Sequence, residues 1–345
     1  MHNKRKFLGF TTPIQARGDR LKISAIPKSP KVGDLFSGAG LFGHAFASEG
    51  AELRFAVELD TAAAASYARN IGHHVHVGKV EAMSAPGRVD VLVAGPPCQG
   101  FSTLGRRDPK DVRNKLCLEI PRWASESSAS VVVVENVPPF LRSPQWRTMA
   151  RKFRAAGFDV ITWELNAADF GVPQLRTRSF TIASSIGIPK RPEPLAGVGC
   201  DVVFRDVNSE DPMHVWPEAT ELQRARMRYL PKKGDWRDIY RQAPELCPPS
   251  WARLGAQATD VWGRIDPRRP SNTLRCDFQN PSKGRYLHPT KNRPISLREG
   301  ARLQQVPDSW VFEGSRTAIA RQIGNAVPLG LGRAVARQVI ALFEA

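Results

Sequence analysis

The stretch KVGDLFSGAGLFG, residues 31–43, decides the fold. Its first half, KVGDLF, is rich in the apolar residues of a buried strand, and its second half, GAGLFG, fits the pattern G-x-G-x-x-G. Glu58 follows Gly38 at the spacing of about 20 residues that this fingerprint expects. In such a motif the glycines let the backbone approach a ligand at a helix N-terminus, and the acid accepts hydrogen bonds from ribose hydroxyls. The motif therefore predicts a nucleoside cofactor and leaves both NAD and S-adenosylmethionine open.

Strand-like runs and helix-like stretches alternate from this motif to about residue 185. The runs with strand character are 31–36, 53–59, 89–95, 130–136, 158–165 and 179–184. Thr61 is expected to begin one intervening helix, and Ser143 with Pro144 to begin another that ends near Gly157, because an N-cap serine precedes a proline at the first helical position. This alternation predicts an α/β fold with a doubly wound, mostly parallel sheet.

The charge is unevenly distributed along the 345 residues. Lys and Arg total 50 against 33 Asp and Glu, which gives a net charge of +17, and the surplus lies in residues 1–31 and 185–300. Residues 32–184 are nearly balanced, whereas residues 224–241 mix basic and aromatic side chains. A concentrated basic surface usually faces a polyanion, most often nucleic acid. The alternative for any single one of these residues is a solvated charged face.

Several classes of protein do not fit the sequence. No run of about 18 apolar residues is present, so neither a membrane span nor a secretory signal is expected. The five cysteines are far apart and form no CxxC pair, which argues against a disulfide framework or a zinc site and favours a reducing compartment. We expect a cytoplasmic protein without a metal, and a surface turn for His73, His74 and His76.

Three further motifs combine reactive side chains with strand ends. In GPPCQGFS, Cys98 follows a strand where doubly wound sheets bind ligands, so an accessible thiol could act as a nucleophile, although free cysteines are more often buried. In ENV, Glu135 ends an apolar strand, and burying its charge there is costly unless it has a purpose. In QLRTRSF, Arg176 and Arg178 alternate and are predicted to point the same way, toward a carbonyl oxygen, a phosphate or a carboxylate.

Taken in order, these motifs resemble those of the bacterial DNA (cytosine-5) methyltransferases. The similarity runs from Val32 to about Ile340 and includes DLFSGAGLFG, VELD, GPPCQGFS, DVRNKL, ENV, QLRTR, RPSNTL, RPISLREGARLQQVPDSW and QIGNAVP. The resemblance implies a Rossmann-like, S-adenosylmethionine-dependent catalytic domain (residues 31–185 and 315–345), a smaller loop-rich target-recognition domain (186–314) and a basic N-terminal arm (1–30). It also implies double-stranded DNA as a partner, association with the bacterial nucleoid, no metal, a monomer, and either a cognate restriction endonuclease or an orphan role.

The resemblance assigns roles to individual residues. Cys98 is similar to the nucleophile that attacks C6 of cytosine, Glu135 to the acid at N3 and the exocyclic amine, and Arg178, with Arg176 beside it, to the residue that holds the carbonyl O2. The residues that would surround S-adenosylmethionine are Phe36, Gly38, Gly40, Glu58, Pro97, Leu116 and Asn325. One departure is Gly78-Lys79, where the family commonly has Gly-Asp, with the Asp contacting the adenine amine.

The proposed chemistry requires a cytosine that has left the double helix, because a base inside a duplex cannot reach such a site. The loop from Gln99 to Arg113 is expected to order over the DNA strand. Two alternatives remain at this point. A tRNA cytosine-5 methyltransferase would share the catalytic residues, but this chain lacks the CFT tripeptide of the eukaryotic-type relatives. A non-catalytic binder or a dinucleotide oxidoreductase would not need the Pro-Pro-Cys, ENV and QLRTR motifs together.

Overall fold

A computed structural model describes residues 29–97, 112–253 and 260–344. Seven strands in this part of the chain form one sheet: β1 Lys31–Leu35, β2 Glu52–Glu58, β3 Val75–Val77, β4 Val91–Ala94, β5 Val131–Asn136, β6 Asp159–Asn166 and β7 Thr177–Ser184. Their order is β3-β2-β1-β4-β5-β7-β6. Strands β1 to β5 pair in parallel, and β7 runs antiparallel to both β5 and β6. The predicted doubly wound, mostly parallel α/β sheet is confirmed.

The α-helices of the described residues flank the sheet and continue into the region beyond it. They are α1 Leu41–Ala47, α2 Thr61–Asn70, α3 Ile120–Ser127, α4 Pro144–Ala155, α5 Glu221–Arg228, α6 Trp236–Gln242, α7 Leu297–Leu303, α8 Arg316–Asn325 and α9 Leu329–Ile340. The predicted start of α4 is confirmed, since Ser143 Oγ accepts a hydrogen bond from Trp146 N at 3.0 Å. Helix α2 begins at Thr61, as predicted. Its N-cap is the Asp60 carboxylate, which the sequence did not indicate.

Both faces of the sheet are covered, which explains the continuous apolar run in β5. Val131 and Val133 pack with α1 and α9 on one face, while Val132 and Val134 pack with α3 and α4 on the other. A strand buried on both sides has no polar alternation, and each fully buried valine contributes about 1.5–3 kcal/mol. The edge strand β3 was not predicted, because it has three residues, is mostly exposed and carries a histidine at its centre.

Two further apolar clusters lie outside the sheet. One joins residues from 200 to 312 with Leu41 of α1 and Ile323 of α8, so this region packs directly on these two helices. The other is a small core around α5 and α6 that includes Trp236, Trp251 and Trp262.

No single helix in the described ranges is long and apolar enough to cross a membrane; α8 and the segment Leu329–Phe343 meet the requirements of length and composition only as a pair bent by 41°.

Candidate active site

A tight glycine loop lies at the carboxyl end of β1. Phe36, Gly38 and Gly40 all have positive φ angles, of 58°, 56° and 91°, and the loop then leads into α1. Phe36 is not a glycine, so its conformation costs about 1–2 kcal/mol and is typical of functional loops. At Gly40 a Cβ atom would lie 2.4 Å from Cδ1 of Ile71 and 2.6 Å from Cδ2 of Tyr67. Only glycine fits at that position.

The Glu58 carboxylate at the end of β2 holds this loop. Its Oε2 accepts a hydrogen bond from Gly38 N at 2.8 Å, and its Oε1 accepts from Leu59 N and Asp60 N, each at 2.8 Å. An ionised carboxylate offers about four acceptor positions. One position therefore remains for a ligand hydroxyl, as the nucleoside-binding fingerprint requires.

Two observations test whether the loop fits S-adenosylmethionine. A Cβ atom added to Gly38 would meet nothing within 4 Å, so the backbone there borders open space. The Ser37 hydroxyl is buried, yet among the described residues it has no hydrogen-bond partner. Such a group normally finds a partner, because leaving it unsatisfied costs about 1–3 kcal/mol. Together with the free acceptor position of Glu58, these features fit the polar groups and the close backbone contact of that cofactor.

The other residues expected around the cofactor lie at three different places. Pro97 is half-buried and is the last described residue after β4, and Leu116 is half-buried in the 3-10 turn Val112–Glu119. Asn325 is exposed at the end of α8, where its Oδ1 accepts a hydrogen bond from Cys276 Sγ at 2.9 Å.

Lys79 is exposed just after β3, and an ammonium group cannot accept a hydrogen bond from an adenine amine. The contact made by the family's aspartate is thus missing at this position.

A buried acid supports the loop from below. Asp34 in β1 is fully buried, and its Oδ2 accepts a hydrogen bond from Gly43 N at 3.2 Å. Burial raises the pKa of Asp34 to about 8, and the negative charge of Glu58 adds to this effect. The carboxyl group is therefore protonated below that pH, under a loop that we expect to bind a ligand.

Glu135 and Arg178 form an ion pair at the carboxyl end of β5. Arg178 Nε lies 2.9 Å from Glu135 Oε1, and both side chains are largely buried. Burial raises the pKa of Glu135, while the charges of Arg178 and Arg176 oppose the increase. Glu135 is therefore protonated more easily than an exposed glutamate, as suits a group that shares a proton with a ring nitrogen.

The ends of β1, β4 and β5 meet around this ion pair. A Cβ atom on Gly95 would lie 3.8 Å from Glu135 Oε2 and 4.0 Å from the Phe36 carbonyl oxygen. Asn136 Nδ2 donates a hydrogen bond to the Pro96 carbonyl oxygen at 3.2 Å, which fixes the chain two residues before Cys98. Cys98 itself, and residues 99–111 of the loop expected to close over DNA, lie outside the described residues. The arrangement matches the rule that doubly wound sheets bind ligands at the carboxyl ends of their strands.

Cys117 offers a comparison with the predicted nucleophile. It is buried, and burial raises the pKa of its thiol to about 12. A thiol that stays protonated is a poor nucleophile. Cys117 therefore cannot replace Cys98 in the expected chemistry.

Arg176 takes part in a different set of contacts from Arg178. Its two terminal nitrogens donate hydrogen bonds to the carbonyl oxygens of Leu274 and Gly324, each at 2.9 Å, and the side chain is buried. Gln174 adds to this junction, because its Oε1 accepts from Leu274 N at 2.7 Å and its Nε2 donates to Leu303 O at 3.1 Å. The junction joins the start of β7 to three distant segments of the chain.

Sequence reasoning missed three side chains that shape this site: Ser37, Asn136 and Gln174. All three lie inside motifs that the sequence analysis quoted. Uncharged polar side chains beside a strand end could have indicated them, since buried amides and hydroxyls need hydrogen-bond partners.

Most of the basic residues singled out between 224 and 241 are already paired within the chain. Arg237 lies 2.7 Å from Asp235, Lys233 lies 3.1 Å from Asp266, and Arg241 lies 3.5 Å from Asp238. Arg228 and Lys232 are exposed and make no ion pair within the described ranges. They are the better candidates in this stretch for contacts with phosphates.

Comparisons with known proteins agree with this geometry. Residues 30–341 match the family model of the C-5 cytosine-specific DNA methylases. The chain is 29% identical to the Type II methyltransferase M.DdeI of Desulfomicrobium norvegicum, over 90% of this chain and 88% of that protein. It is 31% identical to the Type II methyltransferase M1.HphI of Haemophilus parahaemolyticus, over 89% and 86%. The solved structure of the Entamoeba histolytica methyltransferase EhMeth has the same fold, with a TM-score of 0.67 and 15% identity over 92% of this chain and 99% of that one.

Proposed function

Because the chain belongs to the C-5 cytosine-specific DNA methylase family and is a DNA cytosine-5 methyltransferase, we propose that it methylates a flipped-out cytosine through a covalent bond between Cys98 and C6. The observation that carries the proposal is the buried Glu135–Arg178 pair, which lies beside the Gly95-Pro96 segment leading to Cys98. The buried acid lies beside a segment fixed by Asn136 that ends one residue before Cys98, which supports a proton donor close to the proposed attacking group.

The chemistry follows from the poor reactivity of cytosine. Thiolate addition from Cys98 to C6 moves the electron pair of the C5–C6 double bond toward C5, while Glu135 holds or supplies the proton at N3. Arg178 donates hydrogen bonds to the carbonyl O2. When bound, S-adenosylmethionine supplies an electrophilic methyl group to C5. Loss of the C5 proton and expulsion of the Cys98 sulfur then restore the aromatic ring.

We assign the cofactor to the glycine loop and the strand ends around it. The residues proposed to hold it are Phe36, Gly38, Gly40, Glu58, Pro97, Leu116 and Asn325. The open space at Gly38, the buried Ser37 hydroxyl and the remaining acceptor position of Glu58 support this assignment. Arg176 is proposed as a positioning residue, since its terminal nitrogens already bind two carbonyl oxygens.

The remaining part of the chain is proposed to select the target. Residues 186–314 would form the recognition domain and residues 1–30 a basic arm, with duplex DNA between the recognition and catalytic domains. The names of the Type II relatives support a role in restriction and modification beside an endonuclease for the same site. Flipping the base costs a few kcal/mol, which contacts on both sides of the DNA must offset.

The decisive experiment compares the wild-type protein with Cys98→Ser and Glu135→Gln in a host without DNA methylation. We expect 5-methylcytosine at one sequence context in wild-type DNA, mapped at single-base resolution, and none with Cys98→Ser. A 5-fluorocytosine duplex should become covalently trapped on the wild-type protein alone, because fluorine at C5 cannot leave as a proton. Thermal unfolding and S-adenosylmethionine binding serve as folding controls. Wild-type methylation by Cys98→Ser, or labelling of tRNA in place of DNA, would refute the proposal.

A further inference from the structure

Helix α4 carries a row of arginines that the active site does not use. Arg147, Arg151 and Arg154 recur at spacings of four and three residues, so they lie on one stripe of the helix. All three are exposed, whereas Met149 and Phe153 are buried on the opposite side against the sheet. We call these three residues the α4 row.

No acidic side chain among the described residues pairs with the α4 row. Between residues 142 and 158 the chain has four arginines and one lysine but no acidic residue. Within the described ranges none of the three row residues forms an ion pair, although Arg147 Nη1 donates to the Arg142 carbonyl oxygen at 3.1 Å. Like charges at this spacing destabilise a helix, and a concentrated positive surface attracts a polyanion. The row thus differs from the basic residues of α6, which have acidic partners.

The α4 row begins near the carboxyl end of β5, the strand that carries Glu135. Trp146, in the first turn of α4, donates a hydrogen bond from Nε1 to Thr181 Oγ1 at 2.9 Å. Thr181 is adjacent to Phe180, which pairs with Glu135 across the sheet. Helix α4 also packs on the turn Val112–Glu119, which follows the Cys98 loop. The start of the row is therefore close to the catalytic carboxylate.

The length of α4 suits an extended anion better than a small one. The row from Arg147 to Arg154 spans about 10 Å, and duplex DNA carries one negative charge per about 1.7 Å of axis. A surface of this length faces several phosphates, and contacts to phosphates position a protein on the duplex without reading its bases.

We propose that the α4 row contacts the phosphates of the duplex that flanks the target site. It adds affinity and orients the DNA on the catalytic side, but it does not contribute to the choice of sequence. The inference rests on the DNA methyltransferase activity of the chain and not on the Cys98 mechanism.

The test compares two triple variants. The α4 variant is Arg147→Gln/Arg151→Gln/Arg154→Gln, and the control variant is Arg69→Gln/Arg88→Gln/Arg316→Gln. The second variant removes the same charge from three exposed arginines elsewhere that make no ion pair within the described ranges. Fluorescence anisotropy is measured over a salt series, with a duplex of about 12 base pairs that covers the site and one of about 40 that includes flanks. On the long duplex the α4 variant should bind at least about tenfold more weakly at low salt, and its log K against log salt slope should fall by up to about 2.7. On the short duplex both variants should bind like the wild type.

A wild-type salt slope for the α4 variant on the long duplex would overturn the proposal. An equal loss of affinity on both duplexes would overturn it as well, because the row would then act at the target site itself. The same loss in the control variant would show a general effect of net charge and would also refute it. Since binding is measured without turnover, failure here is distinguishable from failure of the Cys98 mechanism.

Discussion

Replacing Gly38 and Gly40 by alanine, one at a time, distinguishes two effects in the glycine loop. One is the cost of backbone strain and crowding to stability, and the other is the loss of space for a ligand. Both positions have positive φ angles, at which alanine costs about 1–2 kcal/mol, partly offset by about 0.4–1 kcal/mol from the stiffer unfolded chain. At Gly38 the new methyl group meets nothing within 4 Å, so the loss should stay near 1 kcal/mol. At Gly40 it would lie 2.4 Å from Ile71 and 2.6 Å from Tyr67, which adds about 1–3 kcal/mol of overpacking.

The assay pairs urea unfolding of the cofactor-free protein with calorimetric titration of S-adenosylmethionine. Gly38→Ala should unfold within about 1 kcal/mol of the wild type but bind the cofactor at least about tenfold more weakly, because the methyl group enters the proposed binding space. Gly40→Ala should lose about 2–4 kcal/mol of stability. Wild-type cofactor affinity in Gly38→Ala would refute the placement of the cofactor. Equal stability of the two variants would refute the steric argument at Gly40.

Three further outcomes follow from the buried polar groups. Arg176→Ala should lower the free energy of unfolding by about 3–5 kcal/mol, because two buried carbonyl oxygens lose charged donors. Arg178→Ala removes the partner of the buried Glu135 carboxylate and should lower both the free energy of unfolding and kcat, and a wild-type kcat would contradict its proposed role. Burial raises the pKa of Asp34 from 3.8 to about 8, so its protonated form stabilises the fold in acid and that contribution is lost as the pH rises through about 8. Asp34→Asn should remove this part of the pH dependence in unfolding titrations, and an unchanged profile would count against a protonated Asp34. Asn136→Asp removes the donor to the Pro96 carbonyl oxygen and places a carboxylate at a buried position, so it should lower the melting temperature as well as kcat, and a wild-type value of either would disprove this reasoning.

The sequence was sufficient for the fold because the strand signals are local. The run VVVV of β5 is short and entirely β-branched, which favours a strand buried on both faces, and the Ser143-Pro144 pair predicts the start of α4. Strand β3 has neither length nor an apolar face, so no local signal marks it. The antiparallel insertion of β7 between β5 and β6 depends on pairing across the sheet, which spacing along the chain does not reveal.

The candidate site was predictable where the motifs carry the chemistry, and less so where contacts link distant segments. The proximity of Glu135 and Arg178 was expected from the family resemblance, since Arg178, near the start of β7, reaches the carboxyl end of β5 only because β7 runs antiparallel to β5. The binding of Arg176 to Leu274 and Gly324 joins residues about 100 and 150 positions away, a distance that no periodicity encodes. The α4 row was also not predicted. The net charge of residues 32–184 is small because acidic residues elsewhere in that range offset the arginines of the row.

The junction around Arg176 has an evolutionary consequence. Its guanidinium holds the main-chain oxygens of Leu274 and Gly324, and Gln174 accepts from the main-chain nitrogen of Leu274. Main-chain groups are the same whatever side chain they carry. Side chains in the proposed recognition domain, residues 186–314, can therefore be substituted without loss of these main-chain contacts, which keeps that region attached to the start of β7 while its surface changes.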